Sequence, residues 1–381
     1  MSVSSAPTAS RRRDELDVLR GLLLVLMAVT HLPTRLNAYS SQPFGYISAA
    51  EGFVFLSAFL VGSIYSRQLI ERGSQYVRSR LWKRAGRLYL MHLGLLFFLF
   101  TVVAALAVVT GRPSLHNHLA VYFASPMRAS IAGPLLLYQP PLLDILPMYI
   151  VFLIATPAVL RIAARHGWRL LLAASGSLWL FAQLGGRTLV YGKLSSALAL
   201  SLPLDAFGAF DWFAWQLVWI AGLWLGARQT AVPRSVSVRA RRVLMAAAVS
   251  ATIVFLLWRY QLLGLPLDSS VRFALTDKWH LGGLRIVNFA ALAYVVSRGV
   301  LPVLAWLRVK ALSMLGRASL EVFTAHVPLC VLSRALVVDD ATPLPLVQEA
   351  LVLGATLGAM LFVAWRTGLG RTPPMRAIAA A

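Results

Sequence analysis

The chain has 381 residues, of which 59% are hydrophobic and only 13% charged, and its mean hydropathy is +0.72. Soluble domains are about 45–50% apolar and about 25% charged, so composition excludes a soluble globular enzyme and a disordered chain. The apolar runs are long and unbroken, which excludes the alternating strands of a β-barrel. The remaining class is an all-α, polytopic integral membrane bundle. The 36 Lys and Arg against 14 Asp and Glu give a net charge of +22. In a soluble protein that excess would suggest nucleic acid. Here the basic residues fall between apolar runs, where they orient a membrane protein, so no nucleic-acid partner is expected.

A spanning helix needs about 20 mostly apolar residues. Ten segments qualify approximately: 17–36, 47–66, 87–110, 142–161, 169–186, 209–228, 243–262, 282–299, 313–335 and 346–366. Arg11–Arg13 precede the first, which reads as an uncleaved helix because no small-x-small cleavage site follows before His31. With the N-terminus in the cytoplasm, alternate connections hold 25 of the 36 basic residues on the inner side. An even helix number then puts both termini inside a plasma or bacterial inner membrane. The expected division is a tail at 1–13, one transmembrane domain at 14–368 and a short tail at 369–381. The single cysteine, Cys330, cannot form an internal disulfide.

Ionisable residues inside spanning segments cost on the order of 3 kcal/mol each and mark functional positions by default. On the first helix, Asp17, Arg20, Leu24, Met27 and His31 form one stripe. Arg20 and His31 lie about 16 Å apart along it. Asp17 reads equally as an interfacial partner of Arg20. Glu51 opens the second segment and, in a hairpin of the first two helices, would lie near His31. A carboxylate that accepts from one imidazole nitrogen raises the basicity of the other, which suits a general base for a hydroxyl. A structural ion pair is the competing role for Glu51.

Seven basic residues lie between Arg67 and Arg87, and Arg84 and Arg87 share a helix face. With Lys83 they could hold the phosphates of a cofactor arriving from the cytoplasm. Simple orientation and anionic-lipid binding would use the same residues. Asp144, Tyr149, Trp212, Arg285, Asn288, Glu321 and His326 add polar groups within the bundle. Each alone reads as structural, and together they suggest an internal polar cavity. His116 and His118 have no third ligand nearby in sequence, so no metal is expected. No P-loop, dinucleotide fingerprint or Gly-x-Ser-x-Gly elbow occurs.

These residues resemble a known family. Arg20 and His31, with ten residues between them, match the R-x10-H motif of the membrane acyltransferase-three superfamily, and Arg84-Ala85-Gly86-Arg87 matches its R-x-x-R motif. Leu16–Gly21, Ala50–Ser57, Leu143–Tyr149 and Gly316–His326 are more similar to the OpgC branch, in which Ala58 would be expected as glycine. The resemblance runs from about residue 14 to about 368. It implies an integral-membrane O-acyltransferase that adds succinyl groups to a periplasmic glucan. It also implies that His31 is the catalytic base and that Arg20, Arg84 and Arg87 contact the acyl donor.

The combined expectation is transfer from cytoplasmic acyl-CoA, either succinyl-CoA or acetyl-CoA, to hydroxyls of a periplasmic or other envelope glycan. His31 and Glu51 would be catalytic. Arg20, Lys83, Arg84 and Arg87 would bind the donor, while Asp144, Tyr149, Trp212 and His326 would contact the sugar. Trp215 and Trp279 are further stacking positions, and Arg285 is a counter-charge for a succinyl carboxylate. The alternative from another class is a transporter or flippase for a lipid-linked sugar or small metabolite; no internal repeat supports it.

Overall fold

The computed structural model describes residues 14–198, 202–228, 237–264, 268–307, 309–337 and 344–369, and every regular element among them is helical. The tail expected at 1–13, with Arg11–Arg13, and all of the tail expected at 369–381 except Leu369 lie outside the described residues.

Helix α1 (Asp14–His31) has Asp14, Glu15 and Asp17 in its first turn and His31 in its last, an order favoured by the helix dipole. Helix α2 (Ala49–Thr110) begins with a capping box between Ser48 and Glu51. The sequence reading placed two segments with a basic loop between them here. The chain instead stays helical through that stretch, because Arg, Gln, Leu, Glu and Lys are good helix formers. Arg67 and Glu71 add an ion pair one turn apart at 2.6 Å. The turn occurs at Gly73, whose φ of 79° is accessible to glycine at little cost. It folds the second limb back along the first: Ser57 and Arg84, which a straight helix would hold about 40 Å apart, line one chamber.

The remaining long helices are α3 (Ile145–His166), α4 (Trp168–Gln183), α5 (Gly186–Ala197), α6 (Trp212–Arg228), α7 (Val238–Arg259), α8 (Gly283–Leu304), α9 (Lys310–Arg317), α10 (Ser319–Ser333) and α11 (Leu346–Leu369). The expected segments fall in helical stretches, but 47–66 and 87–110 share α2, and 313–335 is divided at Ala318 between α9 and α10. Among the described residues, six helices are long and apolar enough to cross a membrane by length and composition. The acidic first turn and Arg20 make α1 more polar than that measure allows, and α4 and α6 have only 16 and 17 residues.

Helix α6 packs between α2 and α4, α3 lies on α2, and α10 lies on α11. Leu24, Val54, Leu153, Trp215, Trp219 and Leu223 form part of one continuous core. Val243, Leu244, Ile253, Val287, Leu351 and Phe362 are exposed on α7, α8 and α11. In water such a coat would drive association; hydrocarbon is the solvent it suits.

Helices α1 and α9 cross with their backbones in contact. A Cβ on Gly21 would overlap the carbonyl of Leu312, and one on Gly316 would overlap that of Asp17. Small residues permit such backbone approach between membrane helices. Arg317 closes the crossing with contacts to Asp14 at 2.6 Å and Asp17 at 3.5 Å. We predict that Gly316→Val lowers stability by about 1–3 kcal/mol or more, read as loss of thermal stability in detergent. A wild-type melting temperature would show that the contact is not confining.

Candidate active site

Two chambers follow the length of α1. The larger has a volume of about 910 Å³ and surrounds the His31 end. Ser48 and Ala50 at the start of α2, Asp144 and Ile145 at the start of α3, and Phe323 of α10 form part of its wall. The connections contribute His118, Tyr138, Gln139, Asp205, Lys278, Trp279 and His280, and α5 contributes Arg187. The smaller chamber, of about 50 Å³, is lined by Arg20, Ser57, Arg84, Tyr149 and Ser319. Ile145 and Phe323 line both, so these two side chains form the partition.

His31 therefore faces the larger chamber. Its ring stacks on His326 at a centroid distance of 6.0 Å and an interplanar angle of 6°. His326 is wholly buried behind it and meets the Phe323 ring edge-on at 5.0 Å. His326 lies outside both chamber walls; it supports His31 rather than meeting the contents of the cavity.

Glu51 is placed differently from the sequence expectation. Its carboxylate receives Arg285 Nε on one oxygen and the Ser48 backbone N–H, at 3.1 Å, on the other. Both Glu51 and Arg285 are fully buried. Arg285 Nη1 also donates to the Thr276 carbonyl at 3.2 Å. No hydrogen bond joins Glu51 to His31, and His31 Nδ1 has no hydrogen-bond partner among the described residues. The Arg285 guanidinium captures the carboxylate that the sequence reading assigned to His31. The same pairing occupies Arg285, the expected counter-charge for a succinyl group.

The expected donor residues divide in the same way. Arg20 donates to the Ser319 hydroxyl and lines the inner chamber with Arg84. Lys83 and Arg87 are exposed on the outside of α2. Of the expected sugar contacts, Asp144 reaches the larger chamber and accepts from Ala209 N–H at 3.2 Å. Tyr149 lines the inner chamber instead, and Trp212 packs on the core. Trp215 is fully buried with its indole N–H on the Trp279 carbonyl at 3.1 Å, whereas Trp279 lines the larger chamber.

Sequence reasoning missed Arg187, Gln139 and Lys278. Arg187 is buried and donates to the carbonyls of Ala209, at 3.0 Å, and Gly208. Its signal was a cation following an apolar segment on the side where basic residues are scarce. The signal for Lys278 was its place in the run Asp277-Lys278-Trp279-His280, four charged or aromatic residues in one connection. There, hydrogen bonding to Asp277 at 2.6 Å raises the His280 imidazole pKa. Burial opposes charge on Asp277, but the hydrogen bonds it receives from the His280 ring and from the backbone of His280 and Trp279 hold it below the usual carboxylate range. The connection is thus held by a charged pair in mildly acidic conditions. That contribution is complete below the ordinary imidazole pKa of about 6.5 and fades as pH rises through the raised value.

His116 and His118 do not converge. His116 contacts the Ala107 carbonyl at 3.0 Å, while His118 faces the larger chamber. Burial lowers the His118 pKa to about 3. Among the described residues no group of three or more His, Cys, Asp or Glu side chains could hold a metal.

The fold and site define a polytopic helical membrane protein with a polar chamber around an imidazole and a smaller, arginine-lined chamber beside it. A family model described as OpgC protein matches residues 12–371, and the chain belongs to the OpgC family. Membership implies a membrane acyltransferase of glucan modification. No curated protein and no solved structure matches the chain.

Because Glu51 and Arg285 neutralise one another in the core, Glu51→Gln leaves a buried guanidinium unpaired. The expected loss is about 3–5 kcal/mol of stability. Arg285→Met with Glu51→Gln should be less damaging than the sum of the single changes, measured as a double-mutant cycle of thermal stability. Strict additivity would contradict the pairing.

Proposed function

We propose that the protein is an O-acyltransferase of the bacterial inner membrane, moving an acyl group, with succinyl favoured, from cytoplasmic acyl-CoA to hydroxyls of a periplasmic glucan. The observation that carries this reading is the placement of His31 and Arg20 on one helix, each facing its own chamber, with a shared wall between. The Asp14 end of α1 is taken as cytoplasmic, with both termini on that side and ten crossings in all. Arg84 and Arg20 receive the donor from within, and the exposed Lys83 and Arg87 extend the basic surface toward its phosphates.

A chamber of about 50 Å³ has room for only a water or two. Passage of the pantetheine arm therefore requires rotation of Phe323 or Ile145. The larger chamber, with Trp279 and several hydrogen-bonding groups, has the size and chemistry for a sugar unit. His31 accepts the proton of a glucan hydroxyl as that oxygen attacks the thioester carbonyl. The new C–O bond forms, the C–S bond breaks, and the proton leaves with the thiolate as free CoA thiol. No covalent enzyme intermediate is required. The His326 ring fixes the plane of His31 in place of the carboxylate expected from sequence.

His31→Ala should reduce transfer by about 10²–10⁴-fold, the usual contribution of a general base, with an unchanged melting temperature and little change in donor affinity. Transfer of label from acyl-CoA to a β-glucan by purified protein reads this directly. Wild-type rates in a folded His31→Ala protein would remove the mechanism.

A further inference from the structure

Lys278 is a cation on the wall of the His31 chamber. Its ammonium lies 4.5 Å from the Trp279 ring centroid and 6.0 Å from that of Phe210, and makes no ion pair among the described residues. It is within electrostatic range of His31 and Asp144. The other cation facing this chamber, Arg187, is committed to two backbone carbonyls, and Arg285 is committed to Glu51.

The backbone that carries Lys278 is held from several directions. The Trp279 carbonyl accepts from the Asp211 backbone N–H and from the Trp215 indole, each at 3.1 Å. The Leu281 carbonyl accepts from the Trp179 indole at 2.9 Å, and the His280 carbonyl accepts from Gln183 at 2.6 Å. Asp277 closes the turn on the His280 side chain. This is a fixed mount for the Lys278 side chain. Aromatic faces reduce the cost of partial desolvation of the ammonium but leave its hydrogen-bond donors for an anion.

Resting on the acyltransferase reading, we propose that Lys278 binds the terminal carboxylate of a dicarboxylic acyl group and so selects a succinyl-type donor over acetyl. The thioester must reach His31, so the chain beyond its carbonyl enters the chamber where Lys278 lies. A carboxylate there gains a charged hydrogen bond, while an acetyl methyl leaves the ammonium unsatisfied. The residue is a specificity determinant; proton transfer remains with His31.

The test measures kcat/KM for succinyl-CoA and acetyl-CoA with one uncharged β-glucan acceptor, using full-length wild type, Lys278→Met and Lys278→Arg in nanodiscs. Loss of one charge-assisted contact predicts about a 10- to 100-fold fall for succinyl-CoA in Lys278→Met. Acetyl-CoA should stay within about threefold of wild type, and Lys278→Arg should restore most of the succinyl preference. An equal fall for both donors, or no fall for either, overturns the assignment. A loss seen only when the uncharged acceptor is replaced by an anionic glucan assigns Lys278 to the acceptor and also overturns it. Wild-type protein that uses acetyl-CoA alone refutes the selectivity while leaving acyl transfer intact. Wild-type protein that uses neither donor refutes both.

Discussion

The buried ion pair of Glu51 with Arg285 fixes the start of α2 against α8, on the side of the larger chamber. It joins the first turn of α2 to α8, and through Thr276 it reaches the connection that bears Lys278. Asn288, one turn further along α8, accepts from Tyr46 N–H at 2.9 Å and holds the approach to α2 against the same helix. Two charges in an apolar interior are costly unless each is fully met. Here the capping box and the guanidinium use both carboxylate oxygens. The reward is positional: two walls of the His31 chamber, the start of α2 and the connection bearing Lys278, are held to one another through α8.

The side of the smaller chamber depends on backbone proximity instead. Gly21 and Gly316 let α1 and α9 touch, which brings Ser319, at the start of α10, to Arg20. Helix α10 then rises beside α1 and delivers Phe323 to the partition and His326 to the back of His31. One crossing therefore sets the arginine chamber, the partition and the support of the imidazole. A rigid α1, spacing Arg20 and His31 by about 16 Å, makes the geometry suited to joining two aqueous compartments.

Much of the fold was legible because apolar runs and basic connections are the dominant constraints on a membrane chain. Where the reading fell short, the reason was local. The basic stretch after Tyr65 was read as a loop from its charge, yet its residues favour helix, and only Gly73 interrupts it. The stripe bearing Arg20 and His31 follows from helical periodicity alone. The partner of Glu51 did not, because Arg285 is 234 residues away and no spacing rule connects them. Lys278 and Arg187 escaped the reading for a related reason: a cation beside an apolar run looks like ordinary surface until the chain closes around it.

The central claim is that donor and acceptor meet from opposite faces of the membrane through the two chambers. The most direct measurement uses sealed vesicles containing protein of one orientation, with acyl-CoA confined to the face bearing Arg84 and glucan confined to the other. Acylated glucan is expected on its own side, with free CoA on the donor side and no passage of intact acyl-CoA. Transfer that occurs only when both substrates share one face would contradict the claim.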